Sequence, residues 1–451
     1  MTDSTTAISD LPQDMVEEVL SRVPLTSLRA VRTTCKNWNS LFKTRSFTKK
    51  HIRKSRVATK KKELMAIMMI DSSISLMSVN LRGIHNNDNV ESFINRKGKL
   101  ISLNNVDGVD ISSVFHCSGL LLCTTKEENS RLVVLNPYRG QTRWIQPIDH
   151  GGDCRVNMYT LGYEKKENSR RRCHKILRSM EVFSILLDNV GIVEERTRKY
   201  QIYNFNSDSW KDIHLTPNRD IRFDKREVSL KGNTYWLVRR DPNWFLRRPA
   251  CSLSRWGPSG PPKFGGQVSC FRRLPYEVTL GFEGLVRDSR FFLLCFDFTT
   301  ERFGPLISLP FHSRTDDSVT LSSVRGEQLA VLYQRYKTLQ MEIWICNKIE
   351  PKAVSWSKLF VAAVNMKTLR TFPFEHGNFF VDVRKKVVVV FAKDKKKPRR
   401  CVVYVIGEDG YFKKVDLGES SDKHGDPVLV CPYVPSSEQI KQATPQGNHI
   451  D

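Results

Sequence analysis

Two places in the chain set a histidine beside a cysteine, His116–Cys117 and Cys173–His174. Such a pair holds the groups for thiolate catalysis or for binding a soft metal ion. The spacing supports neither. Each pair stands alone in a β-type apolar stretch, no CxxC occurs, and the other histidines of the ten are dispersed. A satisfied structural histidine is the favoured reading of both. No GxSxG, HExxH, GxxxxGK[ST] or GxGxxG is present either. No catalytic, cofactor-binding or metal-ligating residues are therefore expected. The eleven cysteines are odd in number and sit mostly in apolar runs such as Gly119–Cys123 and Phe291–Cys295. They read as reduced, buried thiols of an intracellular protein, cytoplasmic and/or nuclear.

Binding is the remaining chemistry, and 451 residues at 40% hydrophobic and 27% charged composition leave room for two or more folded units. No apolar run is long enough for a membrane helix, and the first residues show no secretory pattern. The formal charge is +24, gathered at Lys49 to Lys62, Lys165 to Arg178, Arg239 to Arg248 and Lys393 to Arg400. Without an accompanying recognition helix these read as solvated faces, so nucleic acid is disfavoured as a partner.

The densest candidate binding stretch is Ile8 to Phe47. Asp10 followed by Gln13 has the form of a capping box, with Pro12 in the first turn. Met15, Val16, Val19, Leu20 and Val23 then recur at helical spacing until Pro24. Thr26 or Ser27 can cap a second helix with Leu28, Val31, Cys35 and Trp38 on one face, and Leu41, Phe42 and Phe47 extend the apolar set. Covering one such side chain contributes about 1.5–3 kcal/mol. Three short helices cannot cover this many on both sides, so a partner surface is the expected cover.

Leu11-Pro12, Asp14, Glu18-Val19-Leu20, Arg22-Val23-Pro24, Ser27-Leu28, Val31-Arg32, Cys35-Lys36 and Trp38 resemble the F-box position by position. Thr34 is a mild departure, since the family usually has an apolar residue there. The resemblance implies docking to a Skp-family adaptor, and through it to cullin and RING subunits of a ubiquitin ligase. The residues it assigns to docking are Leu11, Pro12, Met15, Leu20, Val23, Pro24, Leu28, Val31, Cys35 and Trp38, with Trp38 expected as an anchor.

From Leu64 onward helical periodicity gives way to short β-rich runs between turn residues. Many are continuously apolar, as strands covered on both faces are. A strand, an Asn/Asp/Gly turn and an aromatic opening the return strand recur, with Trp144, Trp210, Phe303, Trp356 and Phe412 as the aromatics. Their spacing is loose, and Trp210 to Phe303 is an outlier. Repeated hairpins over this length predict a mainly β fold: a small all-α unit followed by a β-propeller-like domain of about six blades. A pair of β-sandwiches is the alternative.

FHCSGLLLCTT (115–125), VVLNPYRGQTRWI (133–145), LGYE (161–164), YNFNSDSW (203–210), VSLKGNTYWL (228–237), FLLCFDFTTERFG (292–304), VSWSKL (354–359) and IGEDGYFKKVDLGES (406–420) resemble, in order, the F-box-associated interaction domain common in plants. Residues 239–290 depart from that family pattern. Rich in Arg, Pro and Gly, they are expected to be a poorly ordered insertion or a gene-model artefact. The expected organisation is then an F-box over 1–50, the propeller-like domain over 60–434 and a flexible polar tail over 435–451. KDKKKPRRC (393–401) is expected to be a charged hairpin loop rather than an import signal.

The resemblance implies a non-catalytic receptor subunit of a Skp–cullin–F-box ubiquitin ligase that presents an unknown protein substrate. Two rivals come from other classes. One is a basic β-propeller binding nucleic acid or an acidic partner outside any ligase. The other is a propeller enzyme, which needs clustered acidic or histidine residues at its central channel.

Overall fold

The computed structural model describes residues 11–60, 63–70, 73–81, 94–101, 110–127, 130–148, 155–165, 172–188, 191–214, 217, 221–240, 248–249, 290–314, 317–324, 326–350, 353–363, 378–394, 397, 399–408, 410–419 and 429–442. Four helices come first: α1 (Gln13–Leu20), α2 (Leu28–Thr34), α3 (Lys36–Lys43) and α4 (Arg45–Lys60), with a 3-10 turn over Leu25–Ser27. Pro12 precedes α1 and makes no capping bond, and Asp10 lies outside the described residues. The expected single face of Leu28, Val31, Cys35 and Trp38 is corrected. Cys35 is extended (φ −144°, ψ 131°) and divides α2 from α3. The Thr33 and Thr34 hydroxyls bond back to Ala30 O (2.8 Å) and Val31 O (2.6 Å), a local competition that weakens helices at threonine pairs. The sixteen residues of α4 are a second difference. Its narrow apolar side (Phe47, His51, Ile52) is buried, while its many cations read in sequence as a loop-like charge run.

Six antiparallel sheets follow. Blade 1 holds β1 (Glu63–Ile70), β2 (Ser73–Asn80) and β3 (Ile94–Ile101). Blade 2 holds β4 (Ile111–Cys117), β5 (Leu120–Thr125), β6 (Leu132–Asn136) and β7 (Gln141–Ile145). Blade 3 holds β8 (Arg155–Glu164), β9 (Cys173–Asp188), β10 (Gly191–Asn204) and β11 (Ser209–Ile213). Blade 4 holds β12 (Ile221–Leu230), β13 (Asn233–Arg240), β15 (Phe291–Asp297) and β16 (Arg302–Phe303), with β17 (Ile307–Ser308) also on β15; β14 (Arg248–Pro249) pairs with β10. Blade 5 holds β18 (Ser318–Val324), β19 (Gln328–Gln334), β20 (Gln340–Glu350) and β21 (Ala353–Ala363). Blade 6 holds β22 (Asn378–Asp382), β23 (Val387–Lys393), β24 (Arg400–Gly407) and β25 (Phe412–Glu419).

The last strand, β26 (Leu429–Pro432), returns to pair with β1 as the innermost strand of blade 1. The inner strands β26, β4, β8, β12, β18 and β22 touch in turn, and β22 meets β26 again. The ring is closed: this is a six-bladed β-propeller.

The apolar runs explain how blades pack. Each of the six interfaces between neighbouring blades has its own buried cluster. In β23, Val388, Val390 and Ala392 enter the cluster shared with blade 5, while Val387, Val389 and Phe391 enter that shared with blade 1. Alternate side chains thus serve opposite faces, and both faces are covered. Trp144, Trp210, Phe303, Trp356 and Phe412 all fall on the outermost strand of a blade, opposite Val133, Tyr203, Phe296, Cys346 and Ile406. Blade 1, assembled from both ends of the domain, has no aromatic on its outermost strand β3.

The outlying interval has a simple geometry. β13 pairs directly with β15, Thr234 opposite Phe296 through Arg239 opposite Phe291. Arg239 and Arg240, read in sequence with the insertion, belong to β13, and Arg248–Pro249 form β14. The rest of 239–289 lies outside the described residues. The run at 393–401 does close the β23–β24 hairpin, with Asp394 N donating to Arg400 O at 2.8 Å. The tail is a further correction. Residues 433–442 form a docked strap with Tyr433 and Ile440 buried, because backbone carbonyls of the strap find partners on blade 2. Residues 443–451 lie outside the described residues.

Phe391 is buried in the apolar cluster between blades 6 and 1, its ring 5.3 Å from that of Phe380. Phe391→Ala is expected to cost about 3–5 kcal/mol of propeller stability, read by denaturant unfolding. A loss below about 1 kcal/mol would mean that this interface collapses around the vacated space.

Candidate functional site

The helical unit buries one set of apolar residues and exposes another. Val16, Leu20, Leu28, Phe42, Phe47 and Ile52 form its core with Tyr138 of the propeller, and Val23, Val31, Trp38 and Leu41 pack against it half-buried. Leu11, Met15 and Val19 instead remain 37%, 57% and 49% exposed. Met15 and Val19 stand one turn apart on α1, so they share a stripe facing away from Val16 and Leu20. Pro12 and Pro24 are also exposed, and Cys35 is half-buried.

Glu18 stands at the edge of this stripe. It accepts from Arg22 Nη2 (3.0 Å) and Lys54 Nζ (2.5 Å), with Lys50 Nζ at 3.5 Å. The Lys54 and Arg22 cations hold its carboxyl down to about 2. The lysine contacts tie α1 to α4 on the outside, while His51 ties α4 to the turn after α1 within. Its Nε2 donates to Val23 O at 2.9 Å, and burial holds the ring below its ordinary pKa.

The unit is seated on the β6–β7 turn. Tyr138 enters the helical core with its ring 5.5 Å from that of His51, and Arg32 Nη1 donates to Tyr138 O at 3.3 Å. Gly140, in the left-handed region (φ +62°), lies so close to Arg32 that a Cβ would come within 3.3 Å of Nη1. The same turn grips the strap. The fully buried Asn136 donates from Nδ2 to Ser436 O (3.1 Å) and Glu438 O (2.6 Å), and Arg139 Nη1 donates to Ser437 O (3.2 Å). One short turn therefore holds the helices on one side and the chain end on the other.

A small helical unit with an exposed apolar stripe is thus fixed to a closed propeller, and comparison with known proteins identifies the family. The F-box domain profile matches residues 8–50, and that of the F-box associated beta propeller domain matches 65–274 and 276–440. The chain belongs to this family of F-box proteins. It is 49% identical to the Arabidopsis thaliana F-box protein At3g17320, over 96% of this chain and all of that one. It is also 49% identical to the F-box/kelch-repeat protein At3g16740 of the same plant, over 96% of this chain and 99% of that one. Among solved structures, that of YjhT aligns with a TM-score of 0.36 at 11% identity, over 69% of this chain and 84% of that chain. That likeness is too loose to add to the blade arrangement read from the sheets.

Of the residues assigned to docking from sequence, the F-box brings Leu11, Pro12 and Met15 to one exposed edge. Leu20 and Leu28 are 2% exposed and belong to its own core, and Val23, Val31 and Trp38 line that core. Val19, absent from that assignment, is on the exposed stripe, and its helical spacing from Met15 was the signal for it. The seat at Tyr138 carried no sequence signal beyond lying in a turn.

The histidine–cysteine pairs lie on β4 of blade 2 and β9 of blade 3. His116 Nε2 accepts from Gly119 N at 2.9 Å, and burial pushes the Cys117 thiol up to about 11, the wrong direction for a nucleophilic thiolate. His174 is buried between the rings of Tyr163 and Phe205. Among the described residues no group of three His, Cys, Asp or Glu could hold a metal ion.

Burial, helped by the charge of Arg172, pushes His174 down to about 4 from an ordinary 6.5. The unfolded chain therefore takes up the proton first, so the stability from keeping this ring neutral is full above 6.5 and is lost as pH falls towards 4. Between pH 7.5 and pH 5 the loss is about 2 kcal/mol from His174 alone. His174→Gln is expected to flatten the dependence of the unfolding midpoint on pH over that range. Equal slopes in the two proteins would remove His174 as the source.

Proposed function

We propose that this F-box protein is the substrate-recognition subunit of a Skp–cullin–F-box ubiquitin ligase, acting in the cytoplasm and/or nucleus. The carrying observation is the exposed stripe of Leu11, Met15 and Val19 on an F-box whose other large apolar side chains are buried or half-buried in its own core. An apolar edge left open beside a formed core is a surface suited to a partner. A Skp-family adaptor is the partner that an F-box takes, with cullin and RING subunits beyond it. Leu20 and Leu28 serve the same purpose indirectly, by fixing α1 and α2 so that the stripe is presented in one geometry.

Target binding falls to the propeller, and its topology separates the two tasks. In blades 2 to 6 the first-to-second and third-to-fourth strand turns share one face. The F-box and the strap occupy that face through the β4–β5 and β6–β7 turns. The second-to-third connections leave from the opposite face, where β9 and β10 run longest and where β13 ends and β15 begins. That far face is where this reading places the target protein. The subunit needs no chemistry of its own, because holding a target near the charged ubiquitin donor raises their effective concentration.

Replacing Met15 and Val19 together by Asp is expected to weaken capture of a purified Skp-family adaptor by at least about 100-fold, with the propeller melting unchanged. Trp38→Ala is expected to weaken capture too, but with a measurable fall in F-box stability, since Trp38 packs on the F-box core. Undiminished capture by the Met15 and Val19 double variant would overturn the reading.

A further inference from the structure

The outer face of α4 is the most concentrated unexplained charge in the F-box. Lys49, Lys50, Arg53 and Lys54 line an open concavity of about 550 Å3. Lys49 and Arg53 are exposed and stand one turn apart, as do Lys50 and Lys54. Like charges at this spacing weaken a helix slightly, so α4 carries them at a cost to its own stability. Only Lys50 and Lys54 are engaged by Glu18. Counting Arg22 with these four gives five cations against the three carboxylates of α1, Asp14, Glu17 and Glu18, a surplus of two positive charges.

Its place matters as much as its sign. Glu18, which Lys50 and Lys54 reach, is the chain neighbour of Val19 and lies one turn from Met15. The basic concavity therefore continues directly from the exposed apolar stripe. We propose that α4 extends the docking surface of the F-box, and that its occupant is an acidic, Asp/Glu-rich segment of the same adaptor that seats on Met15 and Val19. The inference rests on the adaptor reading above. The apolar stripe supplies most of the binding energy in a desolvated patch. The solvated cations of Lys49 and Arg53 act from the rim, where charge complementarity raises the association rate and is screened by salt.

The test uses the full chain and the purified Skp-family adaptor, with association rates measured by stopped flow. Lys49→Glu with Arg53→Glu is expected to slow association about tenfold at about 0.05 M salt, with little difference left at about 0.5 M, and to leave the dissociation rate and F-box melting nearly unchanged. Lys49→Gln with Arg53→Gln is expected to give an intermediate rate. Equal rates for all three proteins at low salt would overturn the proposal. If the Met15 and Val19 double variant also binds as the unaltered chain does, the adaptor reading itself has failed. Should the charge-reversed protein keep the adaptor rate but lose binding to a single-stranded oligonucleotide that the unaltered chain retains, the face serves nucleic acid and the proposal is wrong.

Discussion

The pairing of β26 with β1 is the constraint on which the rest depends. A propeller is a ring of sheets that touch only their neighbours, so an unclosed ring leaves two apolar blade faces in water. Here four residues from the chain end, Leu429–Pro432, supply the inner strand of blade 1 and bring its buried Val430 into the cluster shared with blade 6. The closing strand also delivers the strap. Beyond Tyr433 the chain crosses beneath blade 2, where Gly119, itself in the left-handed region, has no room for a Cβ beside Ser436. Closure of the ring and seating of the F-box are therefore one event in space, because both end on the turn from Asn136 to Gly140.

The other junctions combine apolar burial with a few cations taken out of water. Arg143 on β7 is buried and donates to Tyr203 Oη and Asp208 Oδ1 of blade 3, both at 2.8 Å, and to the strap carbonyl of Lys441. Lys175 on β9 is buried likewise, 2.7 Å from Glu301 and 3.2 Å from Glu164. Asp208 and Glu301 hold equivalent places, each at positive φ in the third-to-fourth strand turn of the blade that receives the cation. A buried ion pair adds little net stability, since desolvation offsets most of the attraction, but removing one partner is costly. Such latches fix the angle between blades 2 and 3 and between 3 and 4 more than they add cohesion.

Most of this architecture was legible in the sequence, and the failures are physical. The runs LLLC, VVLN and VVVV read as doubly covered strands because each blade is sandwiched by its neighbours, and the recurring aromatics mark outermost strands. The turn sequences LNPYRG and YNFNSDSW were visible as turns, but their duties were not. Asn136 binds a segment 300 residues away, and no local pattern encodes that. The strap misled for the same reason: its polar residues looked like a frayed end because its bonds run from its backbone to side chains elsewhere. The break at Cys35 and the length of α4 were missed where local hydrogen bonding and tertiary cover override helical periodicity.

The docking residues show why a signature is not a contact list. Leu20 and Leu28 match the F-box pattern as well as Met15 does, yet they are core and Met15 is surface. A pattern of residue types records everything a unit needs to do its work, folding included, and separates the two demands only through burial. Met15 and Val19 remain open after the unit has closed on itself and on Tyr138, so their apolar character serves no core among the described residues. The same reasoning applies to Lys49 and Arg53. Among the described residues they balance no carboxylate as Lys50 and Lys54 do, and on a helix that would be steadier without them they, too, face outward beside the same stripe.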